Sequence, residues 1–211
     1  MMPLILKIKK KRHKEVAEAQ DIIVEELYNF FENAVLHGGT AIWRCYQGNR
    51  FSEDIDAYLP RNTEKINEFF KSLKKKGFEI KKKKIKENSL YSALQINRTT
   101  VRFEALFKKS NRTLKEYQTC QGTLVTVYTL TPEQLIKEKA NAYLKRRKIR
   151  DLYDVFYLLR YAENQKEIRK TLKQLIKKYE PPTDQEQLKT LILTGITPDT
   201  QKMLEYIKRR A

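Results

Sequence analysis

Cysteine is almost missing from this sequence. Cys45 and Cys120 are the two it has, too few for a disulfide framework or a cysteine-rich zinc site, and their scarcity suits a reducing cytoplasm. Long apolar runs are missing too. No stretch approaches the roughly 20 residues that a membrane-spanning helix needs, so no membrane partner is expected. The run Pro3–Leu6 is brief and is followed by lysines, which predicts no signal peptide. Internal repeats are absent. Acidic residues are in deficit: 26 Asp and Glu stand against 44 Lys and Arg, a formal charge of +18 over 211 residues. That excess argues against a cationic small molecule as substrate. It favours a polyanion, although lysines that merely solvate the surface would give the same balance.

What is present starts with a hydrophobic content of 40%, enough for a core. The length suits one domain, or one domain with a small helical partner. Basic blocks occur at Lys81–Lys84 and at Lys145, Arg146, Arg147 and Lys148. The second block is the candidate RNA-binding segment.

The most informative stretch runs from His37 to Leu59. Side chains alternate along a strand, so in Asp54–Leu59 the residues Asp54, Asp56 and Tyr58 share one face. Ile55, Ala57 and Leu59 share the other. Two carboxylates one pleat repeat apart repel each other unless a cation lies between them, and hard oxygen ligands suit magnesium. Upstream, Gly38 and Gly39 lack a Cβ and let the backbone approach a ligand. Thr40 then opens a helix whose free N–H groups can accept phosphate. A phosphate cradle followed by a carboxylate pair is what nucleotide chemistry requires; the plainer alternative is a glycine turn before a polar strand end.

The pattern GGT, then Arg50 and Ser52, then Asp54-Ile55-Asp56 resembles the DNA polymerase β-like nucleotidyltransferases. The run GGTAI…RFSEDID, with Ile149-Arg150-Asp151-Leu152-Tyr153-Asp154 later, is similar to the AbiEii-type toxins of toxin–antitoxin systems. The resemblance covers roughly residues 25–160. It implies transfer of a nucleotide from an NTP to an acceptor, with the tRNA 3′ end leading, and a partner antitoxin. It also implies two divalent ions, magnesium or manganese, on Asp54, Asp56 and a third carboxylate. Gly38, Gly39 and Thr40 would cradle the phosphates, with Arg50, Ser52 and Lys139 as helpers. Asp151 would orient that lysine or the base. Transfer to a small molecule or a protein, and a non-catalytic nucleic-acid-binding module, are the alternatives.

Periodicity predicts a helix over 13–34, carried by Val16, Ala19, Ile23, Leu27, Phe30 and Ala34, then a short strand at Val35-Leu36. His37 reads as a local hydrogen-bonding residue. A helix over 64–76 ends at Gly77, and strands at 78–86, 89–97 and 100–108 are separated by tight turns and pair antiparallel. On the last strand Glu104 and Arg102 lie opposite Val101, Phe103 and Ala105. Glu104 is the candidate for the third carboxylate that the resemblance implies, where the family more often has Asp; the alternative is a salt bridge to Arg102 or a lysine. A β-rich run at 123–129 precedes a helix whose start at Thr131-Pro132-Glu133-Gln134 reads as a capping box. In the next helix Arg150 and Asp154 are four apart and can pair. Further helices are expected over 165–179, 184–194 and 198–209, the second opened by a capping box at Thr183–Glu186 and closed by Gly195.

The fold class expected is α/β, a mixed α+β sheet of nucleotidyltransferase type with a helical C-terminal region. The catalytic domain would span 1–130 and the helical domain 131–211.

Overall fold

The computed structural model describes residues 3–211. In chain order the elements are α1 (Leu4–Lys7), α2 (Lys11–Phe30), β1 (Val35–His37), α3 (Gly38–Cys45), β2 (Ile55–Leu59) and α4 (Thr63–Lys75). Then come β3 (Glu79–Ile85), β4 (Ser89–Ile96), β5 (Thr99–Phe107), β6 (Thr113–Gln118) and β7 (Leu124–Thr129). Helices α5 (Pro132–Arg146), α6 (Ile149–Leu158), α7 (Gln165–Lys177), α8 (Gln187–Leu191) and α9 (Thr200–Arg209) complete the chain.

The strands form one mixed sheet in the order β3-β4-β5-β2-β1-β7-β6. Pairing is antiparallel for β3/β4, β4/β5, β1/β2 and β6/β7, and parallel for β2/β5 and β1/β7. The strand alternation read from the sequence sorts two cores. Ile55, Ala57 and Leu59 pack with Val101, Phe103, α2 and α4. Val35 and Tyr58 point the other way and pack with α5, α6, α7 and α9. Helix α3 joins the two, with Ala41 and Trp43 in the first and Ile42 and Tyr46 in the second.

Local chemistry accounts for most element ends. Asn62 caps α4 through the Lys65 N–H. At the other end Gly77, at φ +92°, lets its N–H reach the Lys74 carbonyl while Phe78 reaches Leu73, the paired bonds of a Schellman motif. Thr131 and Gln134 form the expected capping box.

Three expectations need correction. Helix α2 stops at Phe30, and Phe31–Ala34 turn into β1. Strand β6 has no counterpart in the sequence reading. Residues 184–194 are mostly not helical: α8 is five residues long, because Leu191 and Leu193 pair with the backbone of Phe51 and Asn49. Asp184 does not open its own helix. It caps α6, accepting from the Ile149 N–H at 2.8 Å, and Gly195 lies beyond the helix end.

One row of facing residues runs across five strands: Lys84, Tyr91, Glu104, Asp56 and His37. It places a carboxylate on each of two adjacent strands at the same height.

Candidate active site

Asp56 sits in mid-sheet between Glu104 on β5 and His37 on β1, and Asp54 immediately precedes β2. The close fit of β1 and α3 against this strand depends on glycine. Gly38 has φ +71°, and a Cβ there would overlap the Asp56 carboxylate. A Cβ on Gly39 would meet Ser52 Oγ and the Arg50 guanidinium. The glycines thus make room for the site's own side chains. The Thr40 hydroxyl, buried, donates to the Asp54 carbonyl and ties α3 to the strand.

A cavity of about 160 Å³ opens above the carboxylates. It is lined by Gly39, Arg50, Ser52, Asp54, Asp56, Arg102, Glu104, Lys139, Arg146 and Arg150. Three of its cations, Arg50, Lys139 and Arg146, are held from behind by two aspartates on α6. Asp154, 1% exposed, accepts two bonds from Arg50, each 2.8 Å, and pairs with Lys139 Nζ at 2.9 Å. Asp151, fully buried, accepts two bonds from Arg146 at 2.7 and 2.8 Å and lies 3.7 Å from Lys139. Residues 151 and 154 share a helix face, so one turn of α6 holds three cations at the cavity wall.

The carboxylates crowd one another. Burial raises the Asp56 pKa, and Asp54 and Glu138 push the same way against His37 and Lys139. Desolvation, then Asp56 and Asp54, raise that of Glu104. Asp54 is engaged by Arg102, which donates to both of its oxygens at 2.7 and 2.6 Å. Among the described residues, no three such side chains stand ready-grouped as metal ligands. The donor set nevertheless fits a hard divalent cation: three carboxylates, all oxygen, whose crowding such a charge would relieve. For Asp54 to take part, Arg102 must yield it.

The sequence matches the family described as "Nucleotidyl transferase AbiEii toxin, Type IV TA system" over residues 22–209. The chain belongs to the AbiEii family. It is therefore a nucleotidyltransferase toxin of a type IV toxin–antitoxin system, and membership implies an NTP substrate and an antitoxin counterpart. Solved structures of similar fold include MenT4, a nucleotidyltransferase toxin of Mycobacterium tuberculosis. It is 18% identical with a TM-score of 0.68, the match covering 94% of this chain and 82% of that one. JHP933 of Helicobacter pylori is 18% identical with a TM-score of 0.64, covering 96% and 91%. A putative nucleotidyltransferase of H. pylori is 17% identical at 0.65, covering 96% and 94%. Among proteins of curated function, none matches by sequence. No helix among the described residues is long and apolar enough to cross a membrane.

Against this AbiEii frame, the sequence-predicted residues divide. Gly39, Arg50, Ser52, Asp54, Asp56, Glu104 and Lys139 meet at the cavity. Gly38, Thr40 and Asp151 stand behind its wall. The basic block at 145–148 does not form one patch. Arg146 lines the cavity, Arg147 pairs with Glu180, Lys148 lies 3.6 Å from Asp184, and Lys145 faces a groove between α5 and α7.

Two pairs that the sequence allowed are not made. Arg150 leaves Asp154 to Arg50 and Lys139, and Arg102 binds Asp54 rather than Glu104. Arg102, Arg150 and Asp154 were legible only as candidate ion-pair members, and Glu138 not at all, yet all but Glu138 line the cavity or hold its cations. The three-residue step from Asp151 to Asp154 was the available signal for Asp154. Glu138 accepts from the Tyr58 hydroxyl and faces His37 Nδ1 at 3.2 Å, so His37 is a hydrogen-bonding residue, but its partner lies 101 positions away rather than nearby in sequence.

Proposed function

We propose that this chain transfers a nucleoside monophosphate from an NTP to the 3′ end of an RNA, with tRNA the leading acceptor. The observation that carries this is the one cavity in which Gly39, Arg50, Ser52, Asp54, Asp56, Glu104 and Lys139 converge from four separate parts of the chain. Asp54, Asp56 and Glu104 would hold magnesium or manganese, which when bound lowers the pKa of the attacking hydroxyl and neutralises phosphate charge.

The chain's own residues supply the remainder. Gly39, in the first turn of α3, offers a close approach for phosphate at a helix N-terminus. Lys139, Arg146 and Arg150 present positive charge on the cavity wall. Arg50 uses three of its five N–H donors on Asp154 and the Phe51 carbonyl, which fixes its guanidinium at the cavity wall. Because Asp151 and Asp154 on α6 fix Lys139 and Arg146 beforehand, little reorganisation is needed as charge develops on the departing pyrophosphate. Lys139, Arg146 and Arg150 come from the helical layer and the carboxylates from the sheet and its approach, so the cavity joins a cationic and an anionic wall. A reducing cytoplasm, as two unpaired cysteines suggest, would hold both NTP and RNA.

The test is incubation with each labelled NTP and total RNA in magnesium. Label on a discrete RNA species is expected. Label on a small molecule or a protein, with none on RNA, would replace the acceptor.

A further inference from the structure

We propose that the open face of β5, β4 and β3 is the track along which a single-stranded RNA 3′ end reaches the carboxylates. Tyr91 serves as its base-stacking platform, and Lys82 and Lys84 are its phosphate contacts. This deepens the reading above and rests on RNA being the acceptor.

The sheet register carries the inference. Lys84 faces Tyr91, Tyr91 faces Glu104, and Glu104 faces Asp56. Strands lie about 4.8 Å apart, so this row is a path about 14 Å long from the sheet edge to the central carboxylate. Helices α2 and α4 cover only the opposite face, where Leu90, Leu94, Val101 and Phe103 are buried. On the open face Lys82, Lys84, Arg102 and Glu104 are exposed and Tyr91 is half-buried.

Chemistry favours a nucleic acid there. Lys82 Nζ lies 5.2 Å from the Tyr91 ring, an aromatic–cation pair of the kind that receives a base and its phosphate. Lys82 and Lys84 make no ion pair among the described residues. Lys83 points to the other face, over Phe70 and onto Asn67. The alternation divides the lysine run, so two of its members face the track. The other basic block, by contrast, is largely consumed by Asp151, Glu180 and Asp184.

Reaction geometry points the same way. The leaving and attacking oxygens of a phosphoryl centre lie roughly in line. On the proposed reading Lys139 and Arg146 would take the leaving pyrophosphate, and the acceptor would then enter over β5. Lysines on an edge strand also discourage pairing between copies; that role alone predicts altered solubility and unaltered RNA affinity.

The experiment measures binding of a short fluorescein-labelled single-stranded RNA oligonucleotide to the full chain over a salt series. Tyr91→Ala should weaken binding about tenfold or more, and Tyr91→Phe should restore it. Lys82→Gln with Lys84→Gln should flatten the log–log salt slope by about 1.4, at 0.7 per phosphate. Wild-type affinity in both variants would overturn the track, as would no binding by the unaltered chain. So would a loss confined to Lys108→Gln with Lys109→Gln and Arg112→Gln, in the segment that follows β5 and lines a separate pocket with Tyr58 and Pro60. Failure to label RNA, with binding still dependent on Tyr91, would remove the proposed reaction and leave the track. RNA labelling that ignores Tyr91, Lys82 and Lys84 would do the reverse.

Discussion

Asp154 shows how one buried charge organises its neighbours. Burial alone would raise its pKa; Arg50 and Lys139 outweigh that and hold it below the ordinary carboxylate value. A carboxyl whose folded pKa is lowered contributes stability above its unfolded pKa, about 3.9, and loses it as pH falls through the folded value. Asp154→Asn should therefore reduce the unfolding free energy near neutral pH by about 3–5 kcal/mol, the cost of leaving a buried partner unpaired. It should also flatten the loss of stability below about pH 4. Denaturant melts across pH check both, and parallel curves for the two proteins would contradict the assignment. Glu104 is the second residue to test. It is exposed beside Asp56, and Arg102 does not neutralise it by direct contact. Glu104→Gln should cut turnover sharply and raise the magnesium concentration needed for half-maximal rate. Unchanged turnover across a magnesium titration would remove it from the site.

At the scale of elements, the turn between β1 and α3 is the critical joint. Gly38→Ala places a methyl group against the Asp56 carboxylate at a φ that L residues rarely adopt. It should lower the melting temperature and transfer activity together; a variant of native stability and activity would show that the joint tolerates bulk. Asp184→Ala should cost about 1 kcal/mol, as lost helix caps do, although Asp184 lies 35 positions from the helix it caps. A thermal melt unchanged from the native chain would refute that cap.

These elements also show what was legible. Local signals announced the capping box at Thr131, the stop at Gly77 and the alternation of Asp54–Leu59, and the structure has each of them. Strand β6, TLKEYQ, was not legible because four of its six residues are polar and its place is set by pairing with β7. The shortening of α8 was hidden as well, since its cause is a backbone partner near Asn49. Within the site, residue types and spacing pointed to the carboxylates and glycines. Ion-pair partners were not readable, because Arg50 meets Asp154 across 104 positions.

For the whole molecule, the charge of +18 is less free than the sequence suggests. Arg50, Arg102, Lys139 and Arg146 are bound to aspartates at the site. Neutralising 145–148 together would release Asp151 and disturb the cavity wall, so that change does not isolate RNA binding. Two cores meet at β2, one face of the strand in each. The carboxylates stand at that junction, between a helical layer that supplies cations and an open sheet face. The proposed chemistry therefore depends on Asp54 and Asp56. The deciding measurement is magnesium-dependent pyrophosphate release in the presence of NTP and RNA, by the native chain and by the Asp54→Ala, Asp56→Ala double variant. The variant should keep its circular dichroism spectrum and lose release to background. Release at the native rate from the folded double variant would contradict the account.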